Sequence, residues 1–456
     1  MSATSFSKKE LWGHPIGLYV LSATEMWERL SYYGMAAILA LYLVTPETLQ
    51  VMGWDHYSDG EAKKNALSIV GWYLMCVYLT PMLGGYVADR FWGQRKPILV
   101  GGFMMMVGKF LLATPFIFIQ GIEPLFVWLG IALSVLGNGF FKPNISTIVG
   151  DLYEDNDSRR DSAFTIFYMG INFGACIAFL LVGWIGEMVS YQLAFFVTGV
   201  GMALGMIIQM LFAQKTLGDL GKVPKQKFSV AHDVSAPKSM TAQEKLQIGT
   251  ILFFSSLSII FWMGFEQSTG SLTFFAKEQT DLIILGHEIP ASWLRAANPF
   301  FIFLMAPIMS ALWMRMGKKQ PDALGKYIYG FFILGLTFLI PAFGASMMGA
   351  GDKAHIMWLV MTYFVMTISE ICISPVGLSV VSYYSPARFL GLMMGVWFLC
   401  AGLGGKVSAW VGSFIVDFGY VDVFFGTSAF CFAVFLFLFV TRKFYQPLLA
   451  SKIALK

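Results

Sequence analysis

The sequence predicts an all-α polytopic membrane protein whose twelve spanning helices form two six-helix bundles. Its 456 residues are 57% hydrophobic and 13% charged, with a mean hydropathy of +0.67. Lipid leaves the backbone only helices or closed barrels, because every peptide group there must be hydrogen-bonded. The apolar runs are long and do not alternate with polar residues as barrel strands would, so they indicate helices.

Twelve apolar segments are long enough to span a bilayer. The predicted spans are 15–44, 66–90, 96–119, 124–149, 163–186, 191–212, 247–273, 293–316, 326–349, 355–380, 387–416 and 420–443. Of the 31 Lys and Arg residues, 22 fall on one side, five on the other and four within spans. The positive-inside rule therefore places both termini in the cytoplasm.

One long polar connection divides the chain into an amino-terminal bundle (1–212), a cytoplasmic linker (213–245) and a carboxy-terminal bundle (246–456). The two halves show weak internal similarity, because Pro81 and Arg90 in span 2 correspond to Pro307 and Arg315 in span 8. Repeated bundles of this kind suggest alternating access, with a site at the midplane between them.

Span 1 carries three charged residues, Glu25, Glu28 and Arg29. Their spacing places all three on one helical face. Counted from Pro15 at about 1.5 Å per residue, they lie roughly 15–20 Å into a bilayer about 30 Å thick. Ionised groups at that depth cost several kcal/mol unless they face a partner or a watery cavity. We therefore expect them to take part in moving a charged solute.

Further ionisable residues divide by sign between the halves. Arg29 and Lys142 lie in the first half, and Glu266 and Glu370 lie in the second. This division suits a zwitterion held across the two bundles, although static ion pairs between helices remain an alternative. Carboxylates would carry any coupled proton, because all five histidines fall at span ends or in loops. Lys109 and Lys406 are expected to snorkel or make local contacts.

Aromatic and amide side chains are candidates to line the same cavity. Tyr32 and Tyr33 follow Arg29 by three and four residues and therefore share its face. An amide in hydrocarbon must find a partner. The further candidates are Tyr78, Asn172, Asn298 and Trp397.

Other protein classes leave no signature in the sequence. There is no HExxH, no GxSxG, no P-loop and no paired metal ligands, so we expect neither an enzyme, an ATP-driven pump, a metal site nor a cofactor. The net charge of +4 gives no indication of nucleic-acid binding. The protein is expected to reside in the lipid bilayer and to function as a monomer.

The motifs resemble those of the proton-dependent oligopeptide transporter (POT, or PTR) family of the major facilitator superfamily. The family's ExxERxxYY pattern is similar to the stretch from Glu25 to Tyr33, and its FYxxINxG pattern to the stretch from Phe167 to Gly174. Gly84–Gly93 is similar to the superfamily's motif between spans 2 and 3. The resemblance implies a bacterial symporter of the inner (cytoplasmic) membrane that imports di- and tripeptides with protons.

The resemblance also implies roles for individual residues. Glu25, Glu28 and Arg29 would form the proton-coupling cluster, with Glu266 contributing to coupling and gating. Arg29 and Lys142 would bind the peptide carboxylate. The amino terminus would be held by Asn172, Asn298 and Glu370, and the side-chain pockets would be lined by Tyr32, Tyr33, Tyr78 and Trp397. Asp89 and Arg90 would brace the cytoplasmic end during gating.

The chain departs from the family pattern in two places. Many bacterial members carry two extra helices between the bundles, but 213–245 has no apolar run long enough for either. Phe140 and Phe141 also precede Lys142 where smaller or aliphatic residues are usual. An alternative substrate for the same fold is nitrate or another small anion, which would need Arg29 and Lys142 but not Glu370.

Overall fold

The computed structural model describes residues 10–114, 124–154, 157, 159–224, 240–349, 351–386 and 389–450. Its contacts divide the chain into two compact units. Unit 1 comprises Met1–Tyr57 and Cys76–Val234, and unit 2 comprises Ser58–Met75 and Ser235–Lys456. Residues 58–75 therefore group with unit 2, which the sequence does not indicate. Residues 225–239 of the predicted linker lie outside the described part of the chain, and the predicted division at 212 and 246 stays a prediction.

Unit 1 consists of long helices after a two-strand hairpin, in which β1 pairs antiparallel with β2. Its elements are β1 (Glu10–Leu11), β2 (His14–Pro15), α1 (Ile16–Tyr42), α2 (Pro46–Val51), the end of α3 (Asp59–Val87) with a π-turn (Ala88–Trp92), α4 (Arg95–Leu112), α5 (Pro124–Asp151), α6 (Arg159–Ile177) with a π-turn (Ala178–Val182), α7 (Gly183–Met188) and α8 (Tyr191–Leu217). Helix α1 packs against α6 and α8, and α4 packs against α5 and α8.

Unit 2 contains the start of α3 and the remaining helices. They are α9 (Ala242–Phe265) with a 3-10 turn (Glu266–Thr269), α10 (Ser271–Gln279), β3 (Thr280–Asp281), β4 (Ile283–Ile284), β5 (His287–Glu288), a 3-10 turn (Ala291–Ala296), α11 (Ala297–Met316), a 3-10 turn (Gly317–Lys319), α12 (Ala323–Ser346), β6 (Ala354–His355), α13 (Met357–Tyr384), α14 (Leu390–Ser413) and α15 (Ile415–Ala450). Strand β3 pairs parallel with β6, and β4 pairs antiparallel with β5. Helix α12 packs against α13 and α15, and α9 packs against α14 and α13.

The predicted all-α membrane fold is confirmed. In the described residues, ten helices are long and apolar enough to cross a membrane, and they coincide with predicted spans 2 and 4 to 12. The other two predicted spans are α1 and α4. Each of these helices holds three charged residues, which keeps it outside that group of ten.

Local sequence signals explain several helix boundaries. The Thr241 side chain accepts a hydrogen bond from the backbone of Glu244, whose side chain in turn binds the backbone of Thr241, so a capping box starts α9. Ser190 caps α8 and Asp322 caps α12 through the same kind of side-chain acceptor. Pro143 and Pro375 lie inside α5 and α13, close to the predicted ionisable residues on those helices.

The start of α6 is attached to the amino-terminal hairpin by Arg159. Its Nη1 donates to Glu10 Oε1 and to the Gly13 carbonyl, both at 3.0 Å, and its Nη2 lies 2.8 Å from Asp157 Oδ2. Hydrogen bonds from Arg159 lower the pKa of the Asp157 carboxyl. These contacts fix the beginning of the helix that approaches the charged face of α1.

Candidate functional site

The three charges predicted on α1 form one buried cluster in unit 1. Arg29 Nε lies 3.1 Å from Glu25 Oε1 and also donates to Glu28 Oε2. All three side chains are at most 2% exposed. Glu28 Oε1 accepts a further hydrogen bond of 2.9 Å from Asn138 Nδ2 on α5. Sequence reasoning did not select Asn138, although an amide between two glycines in mid-span, with no water to bind, was the available signal.

Aromatic rings surround the two cations of this cluster. The Arg29 guanidinium carbon lies 4.9 Å from the centre of the Tyr32 ring and 5.9 Å from that of Tyr33, as expected from their spacing. Lys142 Nζ lies 5.4 Å from the centre of the Tyr78 ring. Lys142 also interacts electrostatically with Arg29, Glu25 and Glu28. The structure thus brings these predicted residues together within one unit.

Two polar atoms of the cluster's charged groups have no hydrogen-bond partner in the described structure. Arg29 Nη2 and Glu25 Oε2 are buried and have no hydrogen-bond partner among the residues that the structure describes. A buried donor or acceptor without a partner costs about 1–3 kcal/mol, and more when the group is charged. The unpaired N–H of Arg29 can donate a hydrogen bond to a carboxylate, and the unpaired oxygen of Glu25 can accept a proton.

Helix α6 approaches the cluster closely through glycine. A Cβ on Gly174 would contact the Met26 carbonyl and lie 3.0 Å from Arg29 Cβ, so the family's FYxxINxG pattern marks a helix contact here. Asn172 is buried on the same helix, where its Nδ2 donates to the Tyr168 carbonyl at 2.9 Å. Its side-chain amide is thus bound within α6.

Unit 2 holds a second polar cluster, built on α11 and α13. Asn298 Nδ2 donates to Glu370 Oε2 at 2.9 Å and to Thr367 Oγ1 at 3.0 Å. Asn298 and Glu370 are both half-buried. The structure therefore places these two predicted residues in direct contact, with a carboxylate that can receive an ammonium group.

Glu266 lies in the 3-10 turn that follows α9 and interacts electrostatically with Glu370. Thr269 Oγ1 donates to Glu266 Oε2 at 2.8 Å, and Arg295 Nη2 donates to Thr269 Oγ1 at 2.9 Å. The sequence analysis counted Arg295 among the five basic residues of the non-cytoplasmic side and assigned it no role. The available signal was an arginine three residues before Asn298, at the start of an apolar span.

The remaining predicted residues make contacts of their own. Trp397 is 2% exposed, and a Cβ on Gly377 would overlap its ring, so the indole packs into the notch that this glycine leaves. Asp89 and Arg90 are exposed in the π-turn after α3. Asp89 Oδ1 accepts from Gln94 Nε2 at 3.3 Å, and Arg90 Nη1 donates to the Tyr86 hydroxyl at 2.9 Å.

The two isolated lysines make local contacts. Lys109 is fully buried with its Nζ against Met35 Sδ. Lys406 donates to the Ser68 carbonyl at 3.3 Å and lies 4.5 Å from the centre of the Trp72 ring. Among the described residues, no group of three or more His, Cys, Asp or Glu side chains could hold a metal ion.

Ionisable clusters inside the spanning helices of a membrane protein typically mark a pathway for a charged substrate or ion. The model of the POT family matches residues 95–230 and 209–429, which together cover most of the chain. The chain belongs to the POT family. It is a multi-pass membrane transporter and not an enzyme.

Individual relatives resemble the chain over nearly its whole length. An uncharacterized transporter, YclF, of Bacillus subtilis (strain 168) is 34% identical over 93% of this chain and 92% of its own. A di-/tripeptide transporter of Lactococcus lactis subsp. cremoris is 31% identical over 88% of this chain and 90% of its own. The crystal structure of a peptide transporter POT in complex with sulfate superposes with a TM-score of 0.87 at 30% identity, covering 97% of this chain and 98% of that one.

Proposed function

We propose that this transporter imports di- and tripeptides together with protons by alternating access. The observation that carries the proposal is the buried cluster of Glu25, Glu28 and Arg29, in which one guanidinium nitrogen and one carboxylate oxygen lack partners in the described structure. Transport of a carboxylate and a proton would satisfy both atoms. The relative named as a di-/tripeptide transporter supports a peptide as the source of that carboxylate.

In unit 1, Arg29 and Lys142 bind the peptide carboxylate. Both are cations inside spanning helices, and each lies beside an aromatic ring. An arginine can bind a carboxylate through two parallel N–H donors, whereas a lysine acts as a point charge. The rings of Tyr32, Tyr33 and Tyr78 line the side-chain pockets.

In unit 2, Glu370 and Asn298 bind the peptide amino group. Their mutual hydrogen bond orients the Glu370 carboxylate, and an ammonium donor can add to it. We assign Asn172 to the same task and Trp397 to a side-chain pocket. A zwitterion then has an anionic contact in the residues 246–456 bundle and a cationic contact in the residues 1–212 bundle.

Competition for Arg29 couples the proton to the peptide. The guanidinium stabilises the charged forms of Glu25 and Glu28 as long as it is paired with them. A peptide carboxylate that recruits Arg29 weakens those pairs, so one carboxyl group holds a proton during transport. Glu266 contributes to coupling and gating in unit 2, and Asp89 and Arg90 brace the cytoplasmic end.

The membrane location and the orientation of the chain belong to the same proposal. The protein spans the inner membrane of a bacterium, with both termini in the cytoplasm as the Lys and Arg distribution indicates. A monomer contains both clusters and therefore suffices for transport.

Nitrate is the alternative that the relatives do not favour, and Glu370 separates it from a peptide. We expect Glu370→Gln to weaken dialanine binding about 10- to 100-fold, because a charge-assisted hydrogen bond contributes about 1.5–3 kcal/mol. Binding is measured by competition in detergent, with Glu288→Gln as the control because Glu288 is an exposed carboxylate of unit 2. A nitrate carrier would show no dialanine competition in the wild type, and unchanged affinity in Glu370→Gln would contradict the amino-group contact.

A further inference from the structure

Unit 2 contains a buried arginine that the proposed mechanism does not use. Arg295 is 9% exposed and lies in the 3-10 turn before α11. Desolvating a guanidinium costs several kcal/mol unless an anion and hydrogen bonds compensate. Its Nη2 donates to the Thr269 hydroxyl, and that hydroxyl donates to Glu266 Oε2. A threonine can do both at once because a hydroxyl is donor and acceptor.

We propose that Arg295 is a positioning residue for proton coupling, which orients the Glu266 carboxylate through Thr269 and favours its ionised form against the cost of burial. The inference rests on the proposed function, because Glu266 matters to transport only if protons are coupled there. Arg295 keeps its charge throughout, since arginine does not lose its proton in proteins. Glu266 takes its proton from water and returns it to water, and Thr269 only reorients its hydrogen bond.

Other charged and titratable groups lie on the surrounding elements of unit 2. They include Glu370 and Tyr363 on α13, Lys277 and Glu278 on α10, Lys406 on α14, and Asp59, Glu61, Lys63, Lys64 and Tyr73 on α3. Lys63 is paired with Glu278 at 2.7 Å, and Lys64 is paired with Asp417. Glu370 carries the same charge as Glu266 and so opposes its ionisation. Arg295 interacts electrostatically with Glu266 and, as a cation, favours its ionisation.

This arrangement links the amino-group contact to the proton. Glu370 senses the arrival of a peptide ammonium, and its charge acts on Glu266. Arg295 offsets that repulsion and is held in place by its hydrogen bond to Thr269, which in turn binds Glu266. The position of Arg295 therefore sets the pH range in which peptide binding at Glu370 changes the protonation of Glu266.

The test is a pH titration of tryptophan fluorescence of the purified, peptide-free protein, combined with the pH profile of dialanine uptake. Trp262 and Trp293 lie four and two residues from Glu266 and Arg295. The transition lost in Glu266→Gln identifies the Glu266 titration. We expect Arg295→Gln to move the midpoint of this Glu266 transition upward by about 1 pH unit or more. The reason is that removing a nearby positive charge makes the carboxyl group easier to protonate.

Three further variants test the same point. Thr269→Val should move the midpoint in the same direction, and Arg295→Lys should bring the midpoint most of the way back to the wild-type value. Arg315→Gln is the matched control, because Arg315 is an exposed arginine of the same unit. In the Glu266→Gln background, Arg295→Gln should cause no further change in the fluorescence titration. If Arg295→Gln does not fold, the midpoint measured in Thr269→Val decides whether the inference holds.

An unshifted midpoint in the folded variants, or an equal effect of Arg295→Gln with and without Glu266, would overturn the inference. Failure of the proposed function gives a different result. In that case the wild type would not accumulate dialanine at any pH, whereas the fluorescence titration would still report on Arg295 and Glu266.

Discussion

Replacing Arg29 by alanine should abolish both peptide binding and transport. Arg29 is the only basic residue within hydrogen-bond distance of Glu25 and Glu28 in the described structure, and its free Nη2 is our proposed contact for the peptide carboxylate. Truncating one partner of a buried charge pair typically costs 2–5 kcal/mol, so we expect dialanine affinity to fall about 30-fold or more. Equilibrium binding to purified protein measures the first effect, and uptake measures the second.

Alanine also leaves two buried carboxylates without their cation, so folding has to be controlled. Arg29→Lys keeps a positive charge but loses the planar donor pair, and we expect it to fold and to recover part of the binding. Both variants are compared with the wild type by size-exclusion profile and thermal stability in detergent. Tight dialanine binding by a folded Arg29→Ala protein would count against the carboxylate contact.

The Glu28→Gln variant should lose proton-driven uptake and keep some counterflow exchange. Glutamine has nearly the same shape as glutamate but binds no proton, and its amide N–H groups cannot pair with the Arg29 guanidinium. Peptide exchange down its own gradient needs the binding site but no net proton flux, so it survives. We expect uphill accumulation to fall to the level of passive equilibration.

The matched control for this variant is Glu47→Gln, because Glu47 is an exposed carboxylate of the same unit. It should accumulate dialanine as the wild type does. Full uphill accumulation by Glu28→Gln would refute the coupling role of Glu28. Loss of counterflow together with uptake would indicate instead that Glu28 is needed for the peptide site itself.

The sequence predicts well whatever depends on a single helix. Apolar length gave the spanning helices, and the spacing of Glu25, Glu28, Arg29 and the two tyrosines gave the composition of one face. These properties follow from helical periodicity and from the cost of burying charge, and neither requires knowledge of the neighbouring helices.

Contacts between helices were less predictable. Asn138 binds Glu28 from α5, and Arg295 reaches Glu266 through Thr269 from a separate turn. Residue spacing along one helix does not say which other helix lies opposite. The burial of Trp397 against Gly377 is of the same kind, because it depends on how α14 meets α13.

The short irregular turns could not be predicted from the sequence either. The predicted span 7 runs without interruption from 247 to 273, but the structure changes to a 3-10 turn at Glu266–Thr269 and resumes as α10. Gly270 ends the turn, but glycine is frequent within membrane helices, so its presence does not by itself predict a break. The turn nevertheless places the carboxylate of Glu266 and the hydroxyl of Thr269 side by side.

The most direct test of the account is uptake of labelled dialanine into proteoliposomes that contain only this protein, with and without an imposed inward proton gradient. We predict accumulation above the external concentration when the interior is alkaline, collapse of that accumulation by a protonophore, and simple equilibration without the gradient. Accumulation that ignores the gradient, or no dialanine entry at all in liposomes with correctly folded protein, would contradict proton-coupled peptide import.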